Sequence, residues 1–214
     1  MIMIEHVANN FNFIQNKISG ISKSTRLVVV TKNRSYEDIY PLIAANHLDY
    51  GENKVQEAFN KWSSKLSLNK EIKLHLVGKL QSNKAKQAFN LFEFIHTLDS
   101  DKLAKIFSTL EYETKTKKKY FIQVNIGNEV QKSGIQIDKL SEFVNYCKEN
   151  LDLNILGLMC LPPVNEDPKK YFLKLRELNV LYGFKELSMG MSNDYEEAIL
   201  CGSTYIRVGS AIFN

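Results

Sequence analysis

Three cysteines, four prolines and ten glycines are few for 214 residues, and each scarcity removes a class of protein. Cys147, Cys160 and Cys201 stand far apart, with no Cys-x-x-Cys pair and no Cys/His cluster, so neither a zinc site nor a disulfide scaffold is expected. An odd number of dispersed cysteines suits a reducing compartment, and a cytoplasmic location is expected. No apolar run approaches the ~20 residues that cross a bilayer. The start, Met-Ile-Met-Ile-Glu-His, lacks the basic stretch and apolar core of a secretory signal, so no membrane association is expected. No Gly/Ser-rich or Pro-rich linker interrupts the chain, which predicts one domain over residues 1–214. Charge of either sign is not in large excess: the net charge is +4. The one dense basic run, Lys115, Lys117, Lys118 and Lys119, has no interleaved aromatics. It reads as a solvated helix-to-strand corner, and no nucleic-acid partner is expected.

What the chain does have is alternation. Short β-branched or apolar runs are separated by longer segments of helical periodicity. The strands predicted are Leu27–Thr31, Leu48–Tyr50, Lys73–Val77, Phe94–Thr97, Tyr120–Ile126, Ile155–Met159, Glu186–Met189 and Tyr205–Val208. Helices are predicted near 35–46, 53–66, 82–91, 100–116, 137–149, 167–182 and 193–201, with a further one over 3–18 ahead of the first strand. Ser35, Ser82 and Ser192 stand where helix N-caps belong. Strict alternation predicts a parallel sheet with crossover helices, and eight strands in one domain predict closure. The fold class is therefore α/β: a single-domain (β/α)₈ TIM-type barrel with an extra N-terminal helix. An open doubly wound sheet is the alternative, but no Gly-x-Gly-x-x-Gly follows the first strand.

In such a barrel the active site lies at the C-terminal ends of the strands. Lys32 directly follows Leu-Val-Val-Val-Thr. Partial desolvation at such a mouth would make its amine a nucleophile toward an aldehyde, whereas the plainer reading is a strand-end lysine snorkelling to solvent. Ser192, in Ser188-Met-Gly-Met-Ser-Asn-Asp194, and Gly209 with Ser210, after the last strand, occupy the loops that commonly hold a phosphate in these barrels. Ordinary βα turns are the alternative. Arg207 shares side-chain parity with Tyr205 and Gly209, which lets it point into the mouth; a surface ion pair is its alternative. His75 reads as a satisfied core histidine, and His96 lies closer to the mouth. Asp99, Asp101 and Asp194 read as acids at helix N-termini. No catalytic dyad or triad and no metal-ligand set can be read out.

Several stretches together resemble the pyridoxal phosphate homeostasis proteins, relatives of the alanine racemase barrel. They are Val-Val-Val-Thr-Lys32, Tyr50-Gly-Glu-Asn-Lys-Val-Gln-Glu57, His75-Leu-Val-Gly-Lys-Leu-Gln-Ser-Asn-Lys84, His96-Thr-Leu-Asp99, Gln123-Val-Asn-Ile126 with Lys132-Ser-Gly134, Gly157-Leu-Met159, Leu187-Ser-Met-Gly-Met-Ser-Asn-Asp194 and Gly202-Ser-Thr-Tyr-Ile-Arg-Val-Gly-Ser-Ala-Ile-Phe213. They run in family order from the first strand to the C-terminus. The resemblance implies the barrel termed PLP fold type III, with pyridoxal 5′-phosphate (PLP) held as a Schiff base on Lys32. It implies Asn53 and Met189 beside the cofactor, Ser192, Gly209 and Ser210 on its phosphate, and Arg207 facing the pyridine nitrogen. Two departures are Ser210, where the family often has Thr, and the early end at Asn214, which implies a short C-terminal helix. The function implied is intracellular PLP and vitamin B6 homeostasis by a monomer, with PLP-dependent apo-enzymes as transient partners and no established catalysis. A weak PLP-dependent amino-acid racemase or lyase is the alternative. A phosphate-binding barrel enzyme acting on sugars or nucleotides is the second.

Overall fold

Leu27, Val28 and Val29 are buried in succession, as a strand covered on both faces requires. They belong to β1 (Arg26–Val30), the first of eight strands in a computed structural model that describes residues 2–129 and 131–214. β2 (Asp49–Glu52), β3 (Lys73–Leu76), β4 (Phe94–Leu98), β5 (Lys119–Val124), β6 (Ile155–Cys160), β7 (Glu186–Ser188) and β8 (Tyr205–Val208) follow, each parallel to its predecessor. β8 pairs back onto β1, from Arg26 opposite Tyr205 to Val29 opposite Val208, and closes the barrel. Each predicted strand is present, with its ends within two residues of the expected ones.

The crossovers carry α2 (Tyr36–Ala44), α3 (Val55–Trp62), α4 (Ala85–Leu91), α5 (Asp101–Thr114), α6 (Leu140–Asn145), α7 (Pro168–Leu181) and α8 (Tyr195–Leu200). The predicted extra helix is α1 (Ile2–Ile21), whose Val7, Phe11, Ile14 and Ile18 form one buried stripe at helical spacing. A four-residue α9 (Ser210–Phe213) closes the chain, held by α1: the Asn10 amide donates to the Ile212 carbonyl at 3.1 Å.

Alternation along the strands splits the apolar side chains into two bodies. Outward-facing residues join the helices in the main core. Val28, Phe94, Phe121, Met159 and Tyr205 fill the lumen. Ser35 caps α2 in a full capping box with Asp38, as expected. Ser82 does not act as a cap; it is the first residue of a 3₁₀ turn, Ser82–Lys84, preceded by Gln81. The basic run is a helix-to-strand corner, where Lys117 pairs with Asp152 and Lys119 with Glu93. Among the described residues no helix is long and apolar enough to cross a membrane.

Candidate functional site

The C-terminal ends of the strands surround a cavity of about 660 Å³, within the size range of small-molecule sites. Lys32, Asn53, Ser192, Arg207, Gly209 and Ser210 all line it. Six of the seven residues singled out in the sequence are thus brought together from four different strand ends.

Lys32 is held from both sides. Glu52 Oε1, fully buried, accepts from Thr31 Oγ1 at 2.6 Å, Lys61 Nζ at 2.8 Å and Trp62 Nε1 at 2.8 Å. Lys61 also donates to the Thr31 carbonyl at 2.6 Å. On the other side, the Asn33 amide donates to Glu57 at 2.6 Å, and Asn33 itself turns the chain with φ at 59°, a left-handed value asparagine tolerates. β2 and α3 therefore fix the backbone on each flank of Lys32. Its side chain is exposed, not desolvated as expected, because β1 ends at Val30 and Lys32 stands on the rim.

Arg207 lies deeper, 4% exposed. It donates to Ser188 Oγ at 2.6 Å and to the Cys160 carbonyl at 3.0 Å. Among the described residues it has no carboxylate partner, and burial pushes its pKa down to about 10. A guanidinium carries five N–H donors. Its remaining donors and an unpaired buried charge therefore border the cavity, a costly arrangement unless something there accepts. Asn53 Oδ1 is likewise buried without a partner.

At the end of β8, Ser192 Oγ accepts from the Gly209 and Ala211 amides, both at 3.3 Å. These amides open α9 and converge on one oxygen. A Cβ at Gly209 would stand 2.8 Å from the Val30 carbonyl oxygen, so the close approach of β8 to β1 requires glycine. Contrary to the expectation from sequence, Ser192 therefore does not cap α8, whose N-cap position is taken by Asp194. Asp194 accepts the Met191 amide at 2.6 Å, closing a turn that delays α8 to Tyr195 and swings Ser192 toward α9.

The alanine racemase N-terminal domain family matches residues 2–214. Among curated relatives, the pyridoxal phosphate homeostasis protein of Aquifex aeolicus is 37% identical over 175 residues, 77% of this chain and 75% of that one. The protein of that name from Escherichia coli K12 is 32% identical over 223 residues, 97% of this chain and 95% of that one. The chain belongs to the pyridoxal phosphate homeostasis protein family. Among solved structures, PipY of Synechococcus elongatus PCC7942 with PLP bound superposes with a TM-score of 0.88 at 30% identity, covering 97% of this chain and 100% of that one. Alanine racemase of Corynebacterium glutamicum shares the fold at a TM-score of 0.75 and 14% identity, covering 98% of this chain and 60% of that one.

Within this homeostasis-family barrel, two further expectations change. Met189 does not reach the cavity lining; it is fully buried one residue beyond inward-facing Ser188, so alternation turns it to the helix layer. His96 is not near the mouth but fully buried in the lumen, bonded to His75 and Ser188. His75 is the satisfied core histidine expected, with Asp49 as its second partner. The supporting side chains Glu52, Glu57, Lys61 and Ser188 carried no assigned role in the sequence. Only the Glu57/Lys61 pair, four apart on a helix, has a local signal.

Proposed function

We propose that the barrel holds PLP at its mouth, as a Schiff base on Lys32, and serves PLP homeostasis within the cytoplasm, with residues 1–214 working as one domain. The carrying observation is the buried, carboxylate-free Arg207, aimed at a cavity that also presents the Lys32 amine and two converging backbone amides. An arginine is a donor that keeps its proton, so it suits a ring nitrogen that accepts a hydrogen bond. The Gly209 and Ala211 amides, now on a neutral hydroxyl, match the stronger acceptor that a phosphate offers. Asn53 Oδ1 supplies a polar neighbour that lacks a partner. When bound, PLP supplies an aldehyde for reversible imine formation and an electron-accepting ring. An exposed Lys32 on an open rim supports loading and release to PLP-dependent apo-enzymes by a monomer. Three buried, unpaired thiols support a reducing compartment.

Titration followed by visible absorbance tests the reading. PLP is expected to bind with a yellow band, and pyridoxal, lacking the phosphate, far more weakly. Ser210→Ala is expected to weaken PLP by about 1–2 kcal/mol, one hydrogen bond to a charged group. Equal affinity for PLP and pyridoxal would remove the anion site.

The same geometry argues against efficient racemisation. Arg207 leaves the ring nitrogen unprotonated and the ring a weak electron sink. Tyrosine and histidine are absent from the cavity lining among the described residues, and of its two carboxylates Asp194 accepts the Met191 amide at 2.6 Å. Glu166, which does line it, is bonded to Lys170 and Tyr171, and that pairing lowers its pKa. With L-alanine and PLP in deuterated water, Cα exchange is expected far below ~1 s⁻¹, the lower range of ordinary enzymes. Exchange at that rate or faster would favour a racemase.

A further inference from the structure

A chain of four hydrogen bonds runs through the barrel lumen from Arg207 to Asp49. Arg207 Nη1 lies 2.6 Å from Ser188 Oγ, and Ser188 Oγ 2.7 Å from His96 Nδ1. His96 Nε2 lies 2.9 Å from His75 Nδ1, and His75 Nε2 2.9 Å from Asp49 Oδ1. Ser188 and both histidines are fully buried, and the Asp49 side chain is 18% exposed. Phe94 stacks on the His75 ring at 4.2 Å and Phe121 on the His96 ring at 4.5 Å, fixing both ring planes.

Hydrogen counting leaves one arrangement. A guanidinium can only donate, so Ser188 Oγ accepts from Arg207 and its own proton is free to go elsewhere. An ionised carboxylate can only accept, so His75 Nε2 carries a hydrogen. Burial lowers the pKa of His75 and, further, that of His96, so each ring is neutral with a single N–H. Burial raises Asp49, but the hydrogen bond from His75, with His47 and Lys73 nearby, outweighs it and leaves its pKa below the ordinary value. With its N–H at Nε2, His75 must accept at Nδ1, so His96 donates from Nε2 and accepts at Nδ1 from Ser188. Every bond then points the same way, from Arg207 to Asp49, and the reverse direction is blocked at both ends.

We propose that Ser188, His96, His75 and Asp49 form a directional relay that positions Arg207 and tempers its donor strength toward the ligand in the cavity. The last part rests on the PLP reading above. The relay links the buried cation to a carboxylate that it does not touch, and aligned bonds polarise one another. Asp49, far down β2, is thereby a positioning residue for the mouth.

Nitrogen-15 NMR of the ligand-free protein tests the relay without any cofactor. Both histidines should be neutral, protonated at Nε2, and silent between about pH 6 and 8, where an ordinary imidazole titrates. Ser188→Ala should move the signals of His75, which Ser188 does not touch, and Ser188→Thr should restore them. Asp49→Asn, which keeps an acceptor oxygen but removes the charge, should move the His96 signals. A protonated Nδ1 on His96, a titrating imidazole, or changes confined to the nearest neighbour would overturn the relay. With PLP loaded, Ser188→Ala should bind it about tenfold more weakly, the equivalent of one hydrogen bond to a charged group, and Asp49→Asn should shift its visible band. An unshifted band in Asp49→Asn would overturn the link to the ligand. Failure of the wild-type protein to load PLP would sink the PLP reading, leaving the ligand-free NMR result to stand or fall on its own.

Discussion

Borohydride reduction of the PLP-loaded protein is expected to fix one phosphopyridoxyl group per chain, on Lys32, and Lys32→Ala is expected to abolish both the adduct and the visible band. Lysines are abundant on this surface, and free amines form imines with aldehydes indiscriminately. Selection must therefore come from position, since holding two groups together raises their effective concentration by orders of magnitude. Among the described residues, only Lys32 combines a place in the cavity lining with a backbone anchored on both flanks, through Thr31 to Glu52 and Lys61 and through Asn33 to Glu57. Anchoring limits the arc swept by the amine and keeps it on the rim, where β8 and Gly209 lie alongside β1. Peptide mapping of the reduced protein decides the matter. An adduct on another lysine, or a band that survives Lys32→Ala, would remove the central assignment.

The barrel was legible because its strands are buried on both faces. Leu27–Val30 reads as an unbroken apolar run of strand length, Phe94–Leu98 is buried throughout, and the polar segments between strands carry helical spacing. Arg207 was legible through parity: Tyr205 packs in the lumen, so the residue two further on must face inward as well. The same alternation, applied to β7, would have turned Met189 away from the cavity once Ser188 was taken as inward. Other features carry no local signal. Ser192 serves amides 17 and 19 residues away, and Asp49 meets a histidine 26 residues on. Such partnerships exist only because closure brings distant strand ends together, and no periodicity encodes them. The exposure of Lys32 escaped for a smaller reason: β1 ends one residue earlier than the apolar run suggested, which lifts the lysine onto the rim.

Lys61→Met is expected to destabilise the protein by about 3–5 kcal/mol, the usual result of removing one partner of a buried ion pair. The Lys61 side chain is 7% exposed and Glu52 is fully buried. Methionine matches the stem in length but leaves the carboxylate with only the neutral donors Thr31 Oγ1 and Trp62 Nε1. Glu52 Oε2 already lacks a partner, so the site has no spare donor to compensate. The Thr31 carbonyl loses its Lys61 bond as well, next to the residue proposed to bind PLP. Thermal unfolding reads the first effect as a fall in Tm of roughly 10 °C for a chain of this size. Combining Glu52→Gln with Lys61→Met should recover much of that loss, because the unpaired charge is then gone. The double variant still lacks the clamp on Thr31, so it should load PLP more slowly than the wild type despite its recovered stability. A single variant as stable as the wild type would show that the pair contributes little. Normal loading by the double variant would show that the clamp does not position Lys32.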